Sequence, residues 1–210
     1  MRWNVSHKYW IIGGLALVAV GGGLGFLVLM KANSQAGTPN ATNDSTRQHY
    51  ANLYLAAWRQ DQAQGDVLTT ATLFVPPLVT SLGQQSDRSE TEEQLWRIMR
   101  DVPTNAVPVV MTIDSVAGDI PDAAIQKSLT LTDTDGMTFT TTSWTPMVAP
   151  TNVVNTNQAT TSQMGVAVFT AAQPVPWSTL GPLHLVSLGL GDQPRREFVW
   201  AEPKLLLQVK

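Results

Sequence analysis

The chain has 210 residues, of which 43% are hydrophobic, a formal net charge of −3 and no cysteine. This length accommodates one domain of ordinary size with its own core, together with one additional segment. The hydrophobic share excludes a chain that is disordered throughout. The lack of cysteine excludes disulfides, zinc–thiolate sites and blue-copper sites.

An uncharged apolar run follows the first eight residues. It covers residues 9–30 and reads YWIIGGLALVAVGGGLGFLVLM. A helix of this length spans about 33 Å, enough to cross a hydrocarbon core of roughly 30 Å. Because the run has no polar face, it predicts a transmembrane helix over residues 9–31. The alternative is a signal peptide cleaved near Ala32 or Ala36, although the apolar part of such peptides is usually only about 7–15 residues long.

The residues that flank this helix predict its orientation. Arg2 and Lys8 precede it, whereas only Lys31 follows closely. The positive-inside bias therefore predicts a single-pass protein of the cell membrane, with residues 1–8 in the cytoplasm and the C-terminal domain outside it. Residues of the types that anchor a helix at the membrane interfaces are Trp3, Lys8, Tyr9, Trp10 and Lys31.

The part that follows the helix is acidic. Subtracting Arg2, Lys8 and Lys31 from the 13 basic residues leaves 10 against all 16 acidic residues, a net charge of −6. An acidic domain repels phosphate backbones, so nucleic acid is not expected as a partner.

Glycines on one side of the predicted helix indicate a packing face. The motif Gly21-x-x-x-Gly25 lets two helices approach closely, and Gly14 and Gly22 extend the face. We therefore expect contact with a membrane-protein partner or with a second copy of this chain, in addition to the bilayer. The alternative is that these glycines have no partner, since glycine is frequent in transmembrane helices generally.

Two short segments precede the predicted β domain. Residues 32–46 (ANSQAGTPNATNDST) are small and polar, which is typical of a flexible linker. Residues 47–66 carry apolar side chains at helical spacing and predict an amphipathic helix near the membrane. The alternative is a strand that enters the β domain. The residues at this spacing are Tyr50, Leu53, Tyr54, Ala57 and Trp58.

Residues 67–210 predict a mainly β fold made of short antiparallel strands. The strand-like run 67–82 is interrupted by Pro76-Pro77, which indicates an edge, a bend or a loop. Residues 94–100 fit either a helical turn or a strand. The alternation over residues 107–116 predicts a half-buried strand.

The second half of this domain continues the strand pattern. Residues 128–132 and 137–142 flank Asp133-Thr-Asp-Gly136 and predict a hairpin, because Asp-Gly suits a tight turn. Residues 146–163 lack apolar periodicity and predict a long insertion. Further strands are expected at residues 165–170, 184–190, 197–200 and 205–209. Turn signals between such short strands favour an antiparallel sandwich.

Several short motifs give this segment a resemblance to a known class of domain. They are L-x-D-x-x-G, a tryptophan, a G-x-x-x-F strand and R-x-F-x-W, formed by Leu131, Asp133, Gly136, Trp144, Gly165, Phe169, Arg196, Phe198 and Trp200. Over roughly residues 68–200 the chain resembles immunoglobulin-like sandwich domains of little-characterised single-pass bacterial membrane proteins. The resemblance implies a sandwich fold exposed outside the cytoplasm, and no activity. Where histidines are expected before the glycine strand, this chain has Thr160, Thr161 and Gln163.

No residue pattern predicts a metal, a cofactor or a catalytic site. Asp133-x-Asp135-Gly136 is explained better by the hairpin turn than by a calcium loop, because no distal glutamate follows. Only His49 and His184 would lie outside the cytoplasm, and no G-x-S-x-G elbow occurs. We therefore expect a protein that is not an enzyme.

The tryptophans divide into core and surface candidates. Trp144 and Trp200 are expected to fill the sandwich core. Trp177 lies in the proline-bracketed Pro174-Val-Pro-Trp177 and is the strongest candidate for an exposed interface anchor, together with Trp58 in the predicted helix.

Two functions are compatible with these patterns. The preferred hypothesis is a membrane-anchored, non-catalytic accessory or protein-interaction subunit, whose glycine face docks beside other helices. The alternative is a tethered extracytoplasmic module that binds a small ligand or glycan through Trp177 and the insertion at residues 146–163.

Overall fold

The structure, a computed structural model, describes residues 59–64, 67–134, 137–155, 158–189 and 195–203. Within these ranges no helix combines the length and the apolarity needed to cross a membrane. The predicted transmembrane helix, its glycine face, the interface anchors and the linker all lie outside the described residues.

Eight strands and three helices make up the described chain. In chain order they are β1 (Arg59–Gln64), β2 (Val67–Leu73), α1 (Pro76–Gln84), α2 (Glu90–Arg100), β3 (Ala106–Ser115), α3 (Asp122–Ser128), β4 (Leu129–Asp133), β5 (Thr140–Asn155), β6 (Gln158–Thr170), β7 (Leu183–Ser187) and β8 (Arg196–Trp200). They form a five-stranded sheet of order β1-β2-β3-β6-β5 and a three-stranded sheet of order β4-β7-β8. Every pairing is antiparallel. The predicted mainly β class with antiparallel strands is therefore confirmed.

The two sheets differ in how many of their faces are buried. Along β3, nine of ten residues are buried, so both faces of this central strand are covered. Along β7 and β8, burial alternates with exposure, as expected for strands with one face in a core and one in solvent. Trp144 and Trp200 are both buried, which confirms their predicted place in the core.

Among the described residues, each sheet buries one charged side chain. Asp114 of β3 is 7% exposed and Arg196 of β8 is 6% exposed. Burial lowers the pKa of Arg196, and the negative charge of Asp114 opposes that shift. An electrostatic interaction therefore connects the five-stranded sheet to the three-stranded sheet.

Helix α1 begins where the sequence predicted an interrupted strand. Pro76 and Pro77 occupy its first turn. Proline is favoured there because the first turn of a helix does not use the backbone N–H that proline lacks. The prediction of an edge, a bend or a loop at this dipeptide was wrong.

Residues 94–100, for which the sequence allowed either a helical turn or a strand, belong to helix α2. It begins with a capping box, in which the Ser89 N–H donates to Glu92 Oε2 at 2.7 Å and the Glu92 N–H donates to Ser89 Oγ at 3.3 Å. This reciprocal pair satisfies two N–H groups that have no partner within the helix.

The predicted helix over residues 47–66 is wrong at its C-terminal end. Residues 59–64 form β1, which pairs with β2 from Arg59↔Thr72 to Gln64↔Val67. The segment RQDQAQ offers only Ala63 to continue the apolar helical face, so backbone pairing with β2 dominates. Residues 47–58 lie outside the described part of the chain.

The chain around residues 128–163 departs from its prediction in two ways. Asp133 N–H donates to Met137 O at 3.2 Å, but among the described residues of the predicted hairpin a single bridge, Thr132↔Thr138, joins the two sides. The chain then continues into the other sheet as β5. The predicted insertion at residues 146–163 is instead part of the β5–β6 hairpin, whose register shifts between Thr141 and Thr151 hide the period-two pattern.

Candidate interaction surface

One face of the three-stranded sheet points outward and carries exposed apolar side chains. We call this the outer face; its residues are Thr130, Thr132, His184, Val186, Leu188, Arg195, Glu197 and Val199. Leu188 is 53% exposed and Val199 is 37% exposed. Among the described residues these are the only large hydrophobic side chains that are exposed, and both belong to this face.

Backbone pairing determines the neighbours of Leu188. Its N–H donates to Ser128 O at 2.9 Å, which brings it next to the C-terminal end of α3. On its other side, the pairing of Ser187 with Arg196 brings Leu188 beside Arg195. Leu188 therefore lies between Ser128, which follows Lys127 in the chain, and Arg195.

A small ionic group lies on the outer face. His184 Nδ1 is 2.9 Å from Glu197 Oε1, and an Arg195 guanidinium nitrogen is 3.9 Å from Glu197 Oε2. The hydrogen bond from His184, followed by the nearby charge of Arg195, lowers the pKa of Glu197. This carboxylate is consequently ionised at neutral pH and engaged by neighbours on its own sheet.

A cleft of about 540 Å³ adjoins the outer face. One wall is the side of α3 that carries Ala123, Gln126 and Lys127, at the spacing of one helical face. The remaining lining residues are Leu129, Thr130, Thr138 and Phe139. Leu129 and Phe139 are buried, whereas the two threonines are exposed, so an apolar floor has a polar rim. Thr130 belongs to both the cleft and the outer face, which makes the two continuous.

Lys127 differs from the other cations whose side chains are described. Arg88, Arg97, Arg100 and Arg195 each form a salt bridge, and Arg196 interacts with Asp114. No carboxylate within the described ranges lies at salt-bridge distance from Lys127, which is exposed. Its position in the last turn of α3 stabilises the negative end of that helix dipole. Its ammonium group also remains accessible to a negatively charged ligand.

This arrangement is suited to binding. Within the described ranges, no group of three or more histidine, aspartate or glutamate side chains could hold a metal ion. What the surface offers is exposed aliphatic side chains, an apolar cleft floor and cations at the rim. These groups provide hydrophobic contact and recognition of carboxylates.

Of the predicted interface residues the structure describes only Trp177, which does not lie on this surface. Trp177 is half-buried in the loop between β6 and β7 and is not a lining residue of the cleft. This loop is held in place because Val175 N–H donates to Thr104 O at 3.0 Å and Trp177 N–H donates to Val175 O at 3.0 Å. Trp58, Gly14, Gly21, Gly22 and Gly25 lie outside the described residues.

Sequence reasoning missed Lys127, Leu188 and Val199. A signal for them exists in β7 and β8, where Val186, Leu188 and Val199 occupy positions that alternation assigns to solvent. Apolar residues at outward positions of a half-buried strand indicate a second contact surface.

The positions that depart from the resemblance have a structural role. Thr160, Thr161 and Gln163 are all buried. Gln163 bridges the backbone of Ile120: its Oε1 accepts from Ile120 N–H at 2.7 Å, and its Nε2 donates to Ile120 O at 2.9 Å. Gln163 therefore fastens the segment that precedes α3 to the five-stranded sheet.

Comparison of the chain with protein-family models, curated proteins and solved structures finds no match in any of the three.

Proposed function

We propose that this protein is a membrane-anchored, non-catalytic accessory or interaction subunit whose β domain binds a partner outside the cytoplasm. The observation that carries the proposal is the position of Leu188 and Val199 on one sheet face that continues into a cleft. Single exposed apolar residues need no explanation, but apolar residues gathered on one face are typical of interaction sites.

The N-terminal sequence supports the same proposal. A retained helix over residues 9–31 would hold the domain at the membrane surface, and its glycine face would pack beside a partner's helix. The fold that we propose for the domain is an immunoglobulin-like sandwich, which is consistent with two antiparallel sheets and the buried Trp144 and Trp200.

The experiment is affinity purification of the full-length protein in mild detergent, followed by mass spectrometry. We expect a membrane protein to be recovered in stoichiometric amount, and Gly21→Ile or Gly25→Ile to reduce its recovery. Gly23→Ile is the matched control, because at 100° per residue it lies on the opposite side of the helix. Recovery of the protein without any partner would overturn the proposal.

A second candidate function is supported by the cleft. Its volume of about 540 Å³ falls within the range of roughly 300–1,000 Å³ that is typical of small-molecule sites. A tethered module for a small ligand or glycan would use this cleft, and not the 146–163 segment, which belongs to β5 and β6. Binding of that kind would be insensitive to Gly21→Ile, which separates it from the first proposal.

A further inference from the structure

We infer that the outer face and the cleft together bind an acidic, partly apolar polypeptide segment of the partner. Carboxylates of that segment would contact Lys127 and Arg195, while its apolar side chains cover Leu188 and enter the cleft. This inference rests on the proposed function and specifies the chemistry of the partner.

The charge of the surface differs in sign from that of the domain. Residues 32–210 have an excess of acidic over basic residues. The outer face and cleft, in contrast, carry Lys127 and Arg195 against one carboxylate, Glu197. A partner with a negative patch is repelled by most of the domain and attracted here, which selects a single orientation of approach.

The one carboxylate on this surface does not cancel both cations. Glu197 forms its short contact with His184, at 2.9 Å, whereas its distance to Arg195 is 3.9 Å. Arg195 is 63% exposed and can turn toward solvent. Lys127 has no carboxylate at salt-bridge distance within the described ranges, so both cations remain available to an incoming acidic group.

Leu188 lies between these cations. Leu188 is bonded through its N–H to Ser128, the neighbour of Lys127, and lies beside Arg195 on the opposite flank. Val186, which is half-buried, lies on the same face of β7 as Leu188. Strand β7 runs between β4 and β8, whose axes are about 10 Å apart. An apolar centre with a charged rim is the usual anatomy of a protein-binding site.

Charge reversal in the full-length protein tests this inference. We expect the double variant K127E/R195E to reduce partner recovery by about tenfold or more, because attraction becomes repulsion at both flanks of Leu188. The double variant R97E/R100E, on α2, is the matched control, since it makes the same change in net charge at two exposed arginines. Wild-type recovery should also fall as salt rises from about 50 to about 500 mM, and more steeply than that of the double variant.

Rescue identifies the partner's chemistry. Once mass spectrometry names the partner, replacing acidic residues of its contact segment with lysine should restore binding to K127E/R195E and weaken binding to wild type. Circular dichroism of each variant shows whether its fold is retained.

The outcomes separate the inference from the proposed function. Undiminished recovery with K127E/R195E, together with loss in Gly21→Ile, overturns the acidic-segment inference and leaves the accessory-subunit proposal standing. A second copy of this chain as the recovered partner, or binding of anionic lipid vesicles that requires Lys127 and Arg195, also overturns it. Absence of any partner from the wild type overturns both.

Discussion

The indole N–H of Trp144 in β5 donates a hydrogen bond to Asp122 Oδ1 at the start of α3, at 3.0 Å. The same indole ring covers Gly165 of the neighbouring strand β6. One tryptophan thus attaches the short helix that forms a wall of the cleft to the edge of the five-stranded sheet. The cleft depends on this attachment because α3 has only seven residues and is too short to be stable alone.

Gly165→Ala should destabilise the fold. A Cβ at this position would meet Trp144 Cζ2 at 2.5 Å and the backbone oxygen of Thr145 at 2.8 Å, and the latter cannot move without distorting β5. We expect a loss of about 1–3 kcal/mol in the free energy of unfolding, measured by urea denaturation. Gly83→Ala is the control: its Cβ would meet the Trp96 ring, a side chain that can shift, and alanine favours helix α1. An equal loss in both variants would contradict the role assigned to Trp144.

Gln163→Met should cost more stability than its conservative size suggests. Methionine has a similar volume but leaves the N–H and C=O of Ile120 without the partners that Gln163 provides. Because Ile120 is buried, we expect a loss of about 2–4 kcal/mol by urea denaturation. Met164→Leu, at the adjacent position on the opposite face, is the control. A loss no larger than that of the control would show that water replaces the lost bonds.

Asp114 and Arg196 should behave as a coupled pair. Asp114→Asn or Arg196→Met alone removes one member of this buried pair of opposite charges, and we expect each to lower the free energy of unfolding by about 1–3 kcal/mol. The double variant removes both charges and should lose less than either single variant. A double-mutant cycle with additive losses would contradict an interaction between the two sheets through this pair.

Lowering the pH should destabilise the connection between α1 and α2, because it protonates Glu93. The hydrogen bond from Arg88, at 2.8 Å, and the one from Arg97, at 3.2 Å, lower the pKa of Glu93 from its ordinary value of 4.5. A carboxyl whose pKa is lower in the folded state adds stability above its unfolded pKa and loses it as pH falls through the folded value. Between about pH 7 and about pH 5 we expect Glu93 to contribute nothing to the pH dependence of the melting temperature. At lower pH we expect the melting temperature to decline as Glu93 becomes protonated. Glu93→Gln should reduce that decline. An unchanged dependence of the melting temperature on pH would show that Arg88 and Arg97 do not lower the pKa of Glu93 in the folded state relative to the unfolded state.

The sequence predicted those strands whose side chains alternate without interruption. The predicted segments within β3, β6, β7 and β8 are confirmed, because the period-two pattern is a local consequence of the pleat. Strand β5 beyond residue 142 escaped prediction because its bulges break this period. The start of α1 was missed because Pro76-Pro77 is compatible with both a strand end and a helix start.

The proposed interaction surface was missed for a different reason. Lys127, Leu188 and Arg195 become neighbours only through the pairing of β7 with β4 and β8, and such register is not encoded in any single segment. Gln163 likewise owes its role to Ile120, which is distant in sequence. Strand alternation carries a signal for the apolar residues at outward positions, which the prediction missed, and it carries none for the cations that flank them.

Site-specific photo-crosslinking in native membranes tests the central claim most directly. A photoreactive residue would replace Leu188 or Val199 on the outer face, or, as controls, the exposed Gln84 of α1 or Ala172 of the β6–β7 loop. Binding of a protein partner at the outer face predicts a discrete adduct with one other protein at positions 188 and 199 and none at 84 and 172. Adducts at the control positions alone would contradict binding at the outer face. So would the absence of adducts at positions 188 and 199 in a preparation from which a partner still co-purifies.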